Sequence, residues 1–299
     1  MSLRIGEVEV EDTFAEAFPC WVARILITAE SEKWLYAAAY SATGFATSLI
    51  MSPAEAGIER YVPPSETPDG RPGIIIQITH PKKEKLEEQL LRRIGQCVMT
   101  CPTTAVFNAL ESEETVDVGD KLRFFGDGFQ EEGEVGDRFV WRIPVMEGEF
   151  LTEDVFGVVE GVAGGNFIIM GKTMSEALKA AEVAVEAMRA AAKVVPIFPG
   201  GVCRSGSKVG SLKYEFLHAS TNHLYCPTLR DKVPDSKVPP EVNAIYEVVF
   251  NGISVDEIKK ATGAGIRAAA ACPGVVKITA VNFEGKLGPY KIYLREALG

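Results

Sequence analysis

One order of hydrophobic patterns runs through the chain twice: strand, helix, strand, then strand, helix, strand. In the first half, residues 22–28 (VARILIT), 46–51, 74–79 (IIIQIT) and 104–108 read as strands, with helical patterns over 31–43 and 83–98. In the second half the strands fall at 165–170, 194–198, 245–250 (IYEVVF) and 275–281, with helices over 174–192 and 254–271. Short runs of β-branched and aromatic residues suit a pleated, half-buried surface. The helical stripes are equally plain: Leu86, Leu90, Ile94 and Val98 recur every four residues, and Val255, Ile258, Thr262 and Ile266 form a similar stripe after Ser254, a fitting N-cap. The Ala-rich stretch 175–192 forms helix readily and lets neighbours approach closely. Such an order is the split βαβ pattern. It predicts an α+β chain of two tandem ferredoxin-like lobes, residues 1–145 and 146–299, joined where Pro144 and Gly148 interrupt the periodicity. Cys101-Pro102 and Cys272-Pro273, each after the last helix of its half, echo the repeat. A further apolar run, 290–294 (YKIYL), reads as one more strand.

Two long insertions break the repeat. Residues 52–73 are rich in Pro and Gly, and 199–240 are turn-rich, including FPGGVCRSGSKVGS and HASTNHLYCPT. Loops this long within compact domains serve function or are disordered. Their composition is too specific for low complexity, which favours function.

The chain of 299 residues is 46% hydrophobic and 24% charged, so each lobe has material for a core. Its formal net charge of −10 argues against nucleic acid and against anionic membrane surfaces as partners. No apolar run approaches the length of a spanning helix, and the acidic start MSLRIGEVEVEDTF lacks the apolar centre of a signal peptide, so the expected location is cytoplasmic. The six cysteines are scattered without a Cys-x-x-Cys pair and read as free thiols.

Candidate chemistry is sparse. Residues 262–268 (TGAGIRA) contain Gly-x-Gly-x-x-Ala, but inside a helical pattern rather than at a strand-to-helix turn. Gly263 and Gly265 are therefore expected to serve close helix–sheet packing. Residues 201–208 (GVCRSGSK) resemble a phosphate loop but miss its spacing and its Ser/Thr. Two readings stand for this segment: a flexible surface loop, or an anion cradle formed by backbone amides with Arg204, Lys208 and Lys213. His218, His223 and Cys226 have ligand chemistry but spacings that share no helix face, so no metal site is expected. There is no Gly-x-Ser-x-Gly elbow, and three histidines give a cysteine nucleophile few partners.

Glu247 is the most informative residue. It lies inside IYEVVF, on one face with Ile245 and Val249. A carboxyl among apolar side chains is desolvated, which raises its pKa and lets the protonated form donate a hydrogen bond to an oxygen gaining charge. The alternative is an edge-strand glutamate facing water or a lysine.

Several segments together carry a resemblance over essentially the whole chain: 11–18 (EDTFAEAF), 42–48 (ATGFATS), 53–58 (PAEAGI), 65–73 (SETPDGRPG), 94–97 (IGQC), 124–129 (FFGDGF), 163–167 (AGGNF), 198–201 (FPGG), 205–210 (SGSKVG), 219–222 (ASTN) and 285–288 (GKLG). They resemble the formylmethanofuran:tetrahydromethanopterin formyltransferase family. That resemblance implies two ferredoxin-like lobes, assembly as a dimer of dimers (a homotetramer), and no prosthetic group. Methanofuran and tetrahydromethanopterin would act as co-substrates, and both are polyanionic carriers. It implies reversible formyl transfer to N5 of the pterin within a ternary complex, with Glu247 matching the family's protonated glutamate. Substrate binding is expected of Gly164, Gly165, Asn166, Gly200, Gly201, Arg204, Ser205, Ser207, Lys208 and Asn222. The other reading is a non-catalytic carrier-binding or scaffolding paralogue. Ser52 stands where the family pattern has cysteine, and Cys203 and Arg204 stand where many relatives have small or apolar residues. VCRSGSKVG resembles methylotroph relatives and PAEAG those of methanogens, leaving methanogenesis and formaldehyde oxidation both open as the setting.

Overall fold

The computed structural model describes residues 3–206 and 208–299. Contacts divide the chain into two compact units, Cys20–Gly161 and the chain up to Pro19 with Val162–Gly299. The division falls inside two long strands, β1 (Phe14–Thr28) and β5 (Phe156–Gly171). Residue 145 lies in the short turn of a hairpin, where Val145 pairs with Gly148.

In the N-terminal lobe, β1 is followed by α1 (Glu32–Thr43), β2 (Glu55–Val62), β3 (Gly73–His80), α2 (Lys83–Arg93) and β4 (Ala105–Asn108). The strands pair antiparallel in the order β4-β1-β3-β2. The C-terminal lobe runs β5, α3 (Met174–Ala191), β6 (Val194–Pro196), β7 (Ala244–Gly252), α4 (Val255–Ala270) and β8 (Val275–Thr279). Its order is β8-β5-β7-β6, again antiparallel. Both lobes thus have the ferredoxin-like order, fourth strand, first, third, second.

Alternation along the strands fixes the layers. Ile25, Ile27, Ile74, Ile76 and Ile78 form one buried core with Leu35, Leu86 and Leu90 of the helices. Phe167, Ile169, Val248, Phe250 and Ile278 do the same with Ala180, Ala184, Ile258 and Ile266. Ser254 caps α4 as expected, its hydroxyl accepting from the Glu257 amide at 3.2 Å. The helical glycines are packing residues: a Cβ at Gly265 would lie 2.7 Å from the Phe167 ring, and one at Gly263 would overlap the Ala297 carbonyl. No helix among the described residues is long and apolar enough to cross a membrane.

One expected strand is corrected. Residues 46–51 form turns, and the second strand, β2, lies within the segment read as an insertion. The cause is local: the Ser52 hydroxyl accepts from the Ser48 amide at 3.2 Å and donates to the Ser48 and Ala54 carbonyls at 2.7 and 2.8 Å. Serine side chains here capture the backbone groups a ladder would need.

The faces turned away from the helices differ between lobes. In the N-terminal lobe, Leu26, Ile75 and Phe107 are covered by Val140 of the hairpin strand Arg138–Val145. Beside them Arg24 donates to both Glu59 oxygens at 2.7 and 2.6 Å and to the Ala109 carbonyl at 2.6 Å, while Gln77 donates to Glu59 at 2.7 Å. In the C-terminal unit, buried Glu16 accepts from the amides of Phe283, Leu287 and Gly288 at 2.7, 3.0 and 2.8 Å, and from that of Gly285.

Candidate active site

Glu247 sits in the middle of β7. It lies opposite Ile168 of β5, which lies opposite Thr279 of β8. Residues paired this way share a face. That face turns away from α3 and α4 and is covered by the turn-rich insertion, whose Tyr225, Val238 and Val242 pack on Ile168 and Met170. Glu247 is only 3% exposed. It is not at an open edge: the Cys203 amide donates to the Glu247 carbonyl at 2.8 Å, and the Glu247 amide donates to the Cys203 carbonyl at 3.0 Å. Cys203 thereby extends the edge that β6 occupies opposite residues 250–252. The water-facing alternative for this glutamate falls.

The loop that supplies Cys203 closes a cavity of about 40 Å³ over the carboxyl. Four expected residues line it: Glu247, Arg204, Ser205 and Asn222. Cys203, Tyr225 and Cys226 join them and were not expected there. Gly206, also lining, has φ +72°, and a Cβ on it would come within 2.7 Å of the Asn222 side chain. The loop can lie against the turn at residue 222 only because position 206 is glycine. Burial pushes the Tyr225 phenol up to about 12, with the charge of Glu11 adding to it, a hydrogen bond with Thr279 opposing it, and Glu247 contributing least. Burial likewise raises the Cys203 thiol, against hydrogen bonding from Ser205 and with the charge of Glu247 behind it. Both groups are therefore neutral near pH 7: Tyr225 is a fixed phenol and Cys203 a poor nucleophile.

The other expected residues among those described lie apart from the cavity lining. Residues 163–167 belong to β5, with a register shift between Val162 and Gly165. Gly164 takes φ +88° at this bulge, and its amide donates to Asn251 at 3.0 Å. Gly165 makes room for Phe250 and Ile258, each 2.9 Å from where a Cβ would stand. Asn166 is buried, its carbonyl oxygen accepting from the Val281 amide at 2.8 Å and its amide donating to the Val281 carbonyl at 3.2 Å. Bulges of this kind redirect a strand beside a site. Gly200 is exposed, and Gly201 is packed on Val185 within a short turn. Lys208 Nζ lies 3.4 Å from His223 Nδ1, whereas Lys213 reaches over the Tyr214 ring. Ser207 lies outside the described residues. Of the three residues with metal-ligand chemistry, His223 thus meets Lys208, and the Cys226 thiol meets Thr221 and the Asn222 carbonyl. Tyr225 carried no sequence signal beyond being an aromatic in a turn-rich run; only the fold of that run brings it to Glu247.

A model of the family formylmethanofuran-tetrahydromethanopterin formyltransferase matches residues 3–145, and a second, for its proximal lobe, matches 148–297. The chain belongs to the formylmethanofuran-tetrahydromethanopterin formyltransferase family. It is 56% identical over 298 residues to the formyltransferase of that name from Methanocaldococcus jannaschii, covering 98% of this chain and 99% of the relative. The relative from Archaeoglobus fulgidus is 55% identical over 295 residues, with the same shares covered. Among solved structures, the formyltransferase from Methanosarcina barkeri matches with TM-score 0.96 and 53% identity over 99% of this chain and all of that one. A chain of the formyltransferase/hydrolase complex from Methylorubrum extorquens, determined with methylofuran, matches with TM-score 0.94 and 41% identity over 100% of this chain and 99% of its own.

Proposed function

We propose that this formyltransferase moves a formyl group reversibly between formylmethanofuran and N5 of tetrahydromethanopterin, by direct transfer in a ternary complex, with Glu247 as the catalytic acid. The observation that carries the reading is a carboxyl buried in the C-terminal sheet and covered by the Cys203–Gly206 loop, in a chain of this family. In the pterin-forming direction, N5 attacks the formyl carbon and its lone pair makes the new C–N bond. The carbonyl π pair moves to oxygen, giving a tetrahedral intermediate. Collapse breaks the bond to the amine of the furan carrier; N5 gives up its proton and the departing amine gains one. A protonated Glu247 donates a hydrogen bond to the oxygen while it bears negative charge, an interaction strongest in the transition state. Joint binding of the carriers supplies proximity. Neutral Tyr225 adds no competing charge beside the acid.

Substrate contacts belong, on this reading, to Arg204, Ser205, Ser207, Lys208 and Asn222 around the acid, and to the glycine-rich segments Gly164, Gly165, Asn166, Gly200 and Gly201. No step calls on a metal or prosthetic group. We further propose a homotetrameric, cytoplasmic enzyme of two sequential lobes divided near residue 145, serving methanogenesis or formaldehyde oxidation.

The test is a direct assay. Purified protein is mixed with formylmethanofuran and tetrahydromethanopterin, and formylpterin is followed by absorbance. Transfer that is lost in Glu247→Gln while both carriers still bind supports the assignment. Unchanged turnover in that variant removes Glu247 from the mechanism.

A further inference from the structure

We propose that Lys208 and His223, with Arg204 four residues before Lys208 on the same loop, form a seat for an anionic group, a carboxylate or a phosphate, on one of the two carriers. The inference rests on the formyl-transfer reading for the identity of the carriers, but not for the seat itself.

Lys208 Nζ and His223 Nδ1 are in contact at 3.4 Å. An ammonium has only protons to offer, so Nδ1 accepts and the ring proton resides on Nε2. The pair then presents the remaining ammonium protons and an Nε2–H, all donors. Among the described residues no carboxylate lies within ion-pair distance of Lys208, His223 or Arg204. Elsewhere on the surface Lys83, Lys259 and Arg295 are paired with Glu114, Glu296 and Asp12. A donor-only cluster without its own counter-charge fits a ligand that is acceptor-only and negative.

Its position links the seat to the reaction. Arg204 and Asn222 line the cavity over Glu247; Lys208 lies two residues beyond Gly206, and His223 directly follows Asn222. These segments are locked together, since Lys208 pairs with Ser220 in a two-stranded ladder and Gly206 abuts Asn222. In a chain of net charge −10, cationic groups on the segments that line the cavity offset the general repulsion of anions where they must arrive. A carrier anchored there by its charged end would hold its reacting end at a fixed reach.

The chain, labelled at its three histidines, tests this by NMR: inorganic phosphate and glutarate are titrated separately, with His223→Gln providing the assignment. A saturable shift of His223 without a shift of His80 is expected. Response to phosphate alone identifies a phosphate seat, and response to glutarate alone a carboxylate seat. No response to either at about 50 mM overturns the seat. Independently, Lys208→Gln is expected to raise KM about tenfold for one carrier, the loss of one charge-assisted contact, and far less for the other. Equal KM changes for both, or none, count against the proposal. If the wild type transfers no formyl group, the functional reading fails while the anion titration still decides the seat.

Discussion

Both lobes build the same sheet order and bury the same helix-facing core, yet their opposite faces are finished differently. In the N-terminal lobe that face is closed by a hairpin over Leu26, Ile75 and Phe107, and it holds the buried ion pair Arg24–Glu59, bidentate and backed by Gln77. In the C-terminal lobe the cover is an irregular insertion, and it closes over a carboxyl with a small cavity above it. A buried charge answered by a partner contributes structure. A buried carboxyl that borders a cavity, lined also by Arg204, Ser205, Asn222 and the Tyr225 phenol, has room beside it for a ligand. One architecture thus closes one face over an ion pair and, on the proposed reading, keeps the other for reaction.

That contrast can be broken most sharply at Glu59. Glu59→Ala leaves the Arg24 guanidinium buried without its partner and should cost about 3–5 kcal/mol in denaturant unfolding, with turnover kept at temperatures where the variant stays folded. Glu247→Gln should do the reverse: kcat falls about 10²–10³-fold while the melting temperature barely moves. If Glu247→Gln unfolds the protein as Glu59→Ala does, the division between the two faces is wrong. Gly206→Ala should cost about 1–3 kcal/mol through its left-handed backbone and its crowding of Asn222, and should lower kcat/KM more than the alanine's size alone implies.

The smallest effect is an acid dependence set in the same C-terminal unit. Burial pushes the Glu16 carboxyl upward, but the amides of Gly288, Phe283, Leu287 and Gly285 outweigh it and hold it below the usual 4.5. A depressed folded pKa gives stability that is present above the unfolded value and lost as pH falls through the folded one. Melting temperature should therefore drop below about pH 4.5, and Glu16→Gln should flatten that drop while lowering the plateau above it. An unchanged acid limb in the variant would place the acid sensitivity elsewhere.

Much of the architecture is legible in the residues because alternation and four-residue stripes come directly from burial on one face. The 4-1-3-2 order follows from recognising that pattern twice. The reading failed where side chains compete with the ladder, as at Ser48 and Ser52, and where strands carry little apolar alternation, as in Glu131–Val135 of the hairpin region. The same limit divides the site. Glu247 announces itself as a carboxyl in an apolar strand. Tyr225 and Cys203 reach it through an insertion whose path is set by long-range contacts.

The reciprocal backbone bonds between Cys203 and Glu247 give the site its own clock. Both amides are held by the same contact, so lifting the loop releases both at once, and neither can exchange with solvent through that route alone. Deuterium uptake at these two positions should rise and fall in step, reporting how often the cavity opens and how far a bound carrier keeps it shut.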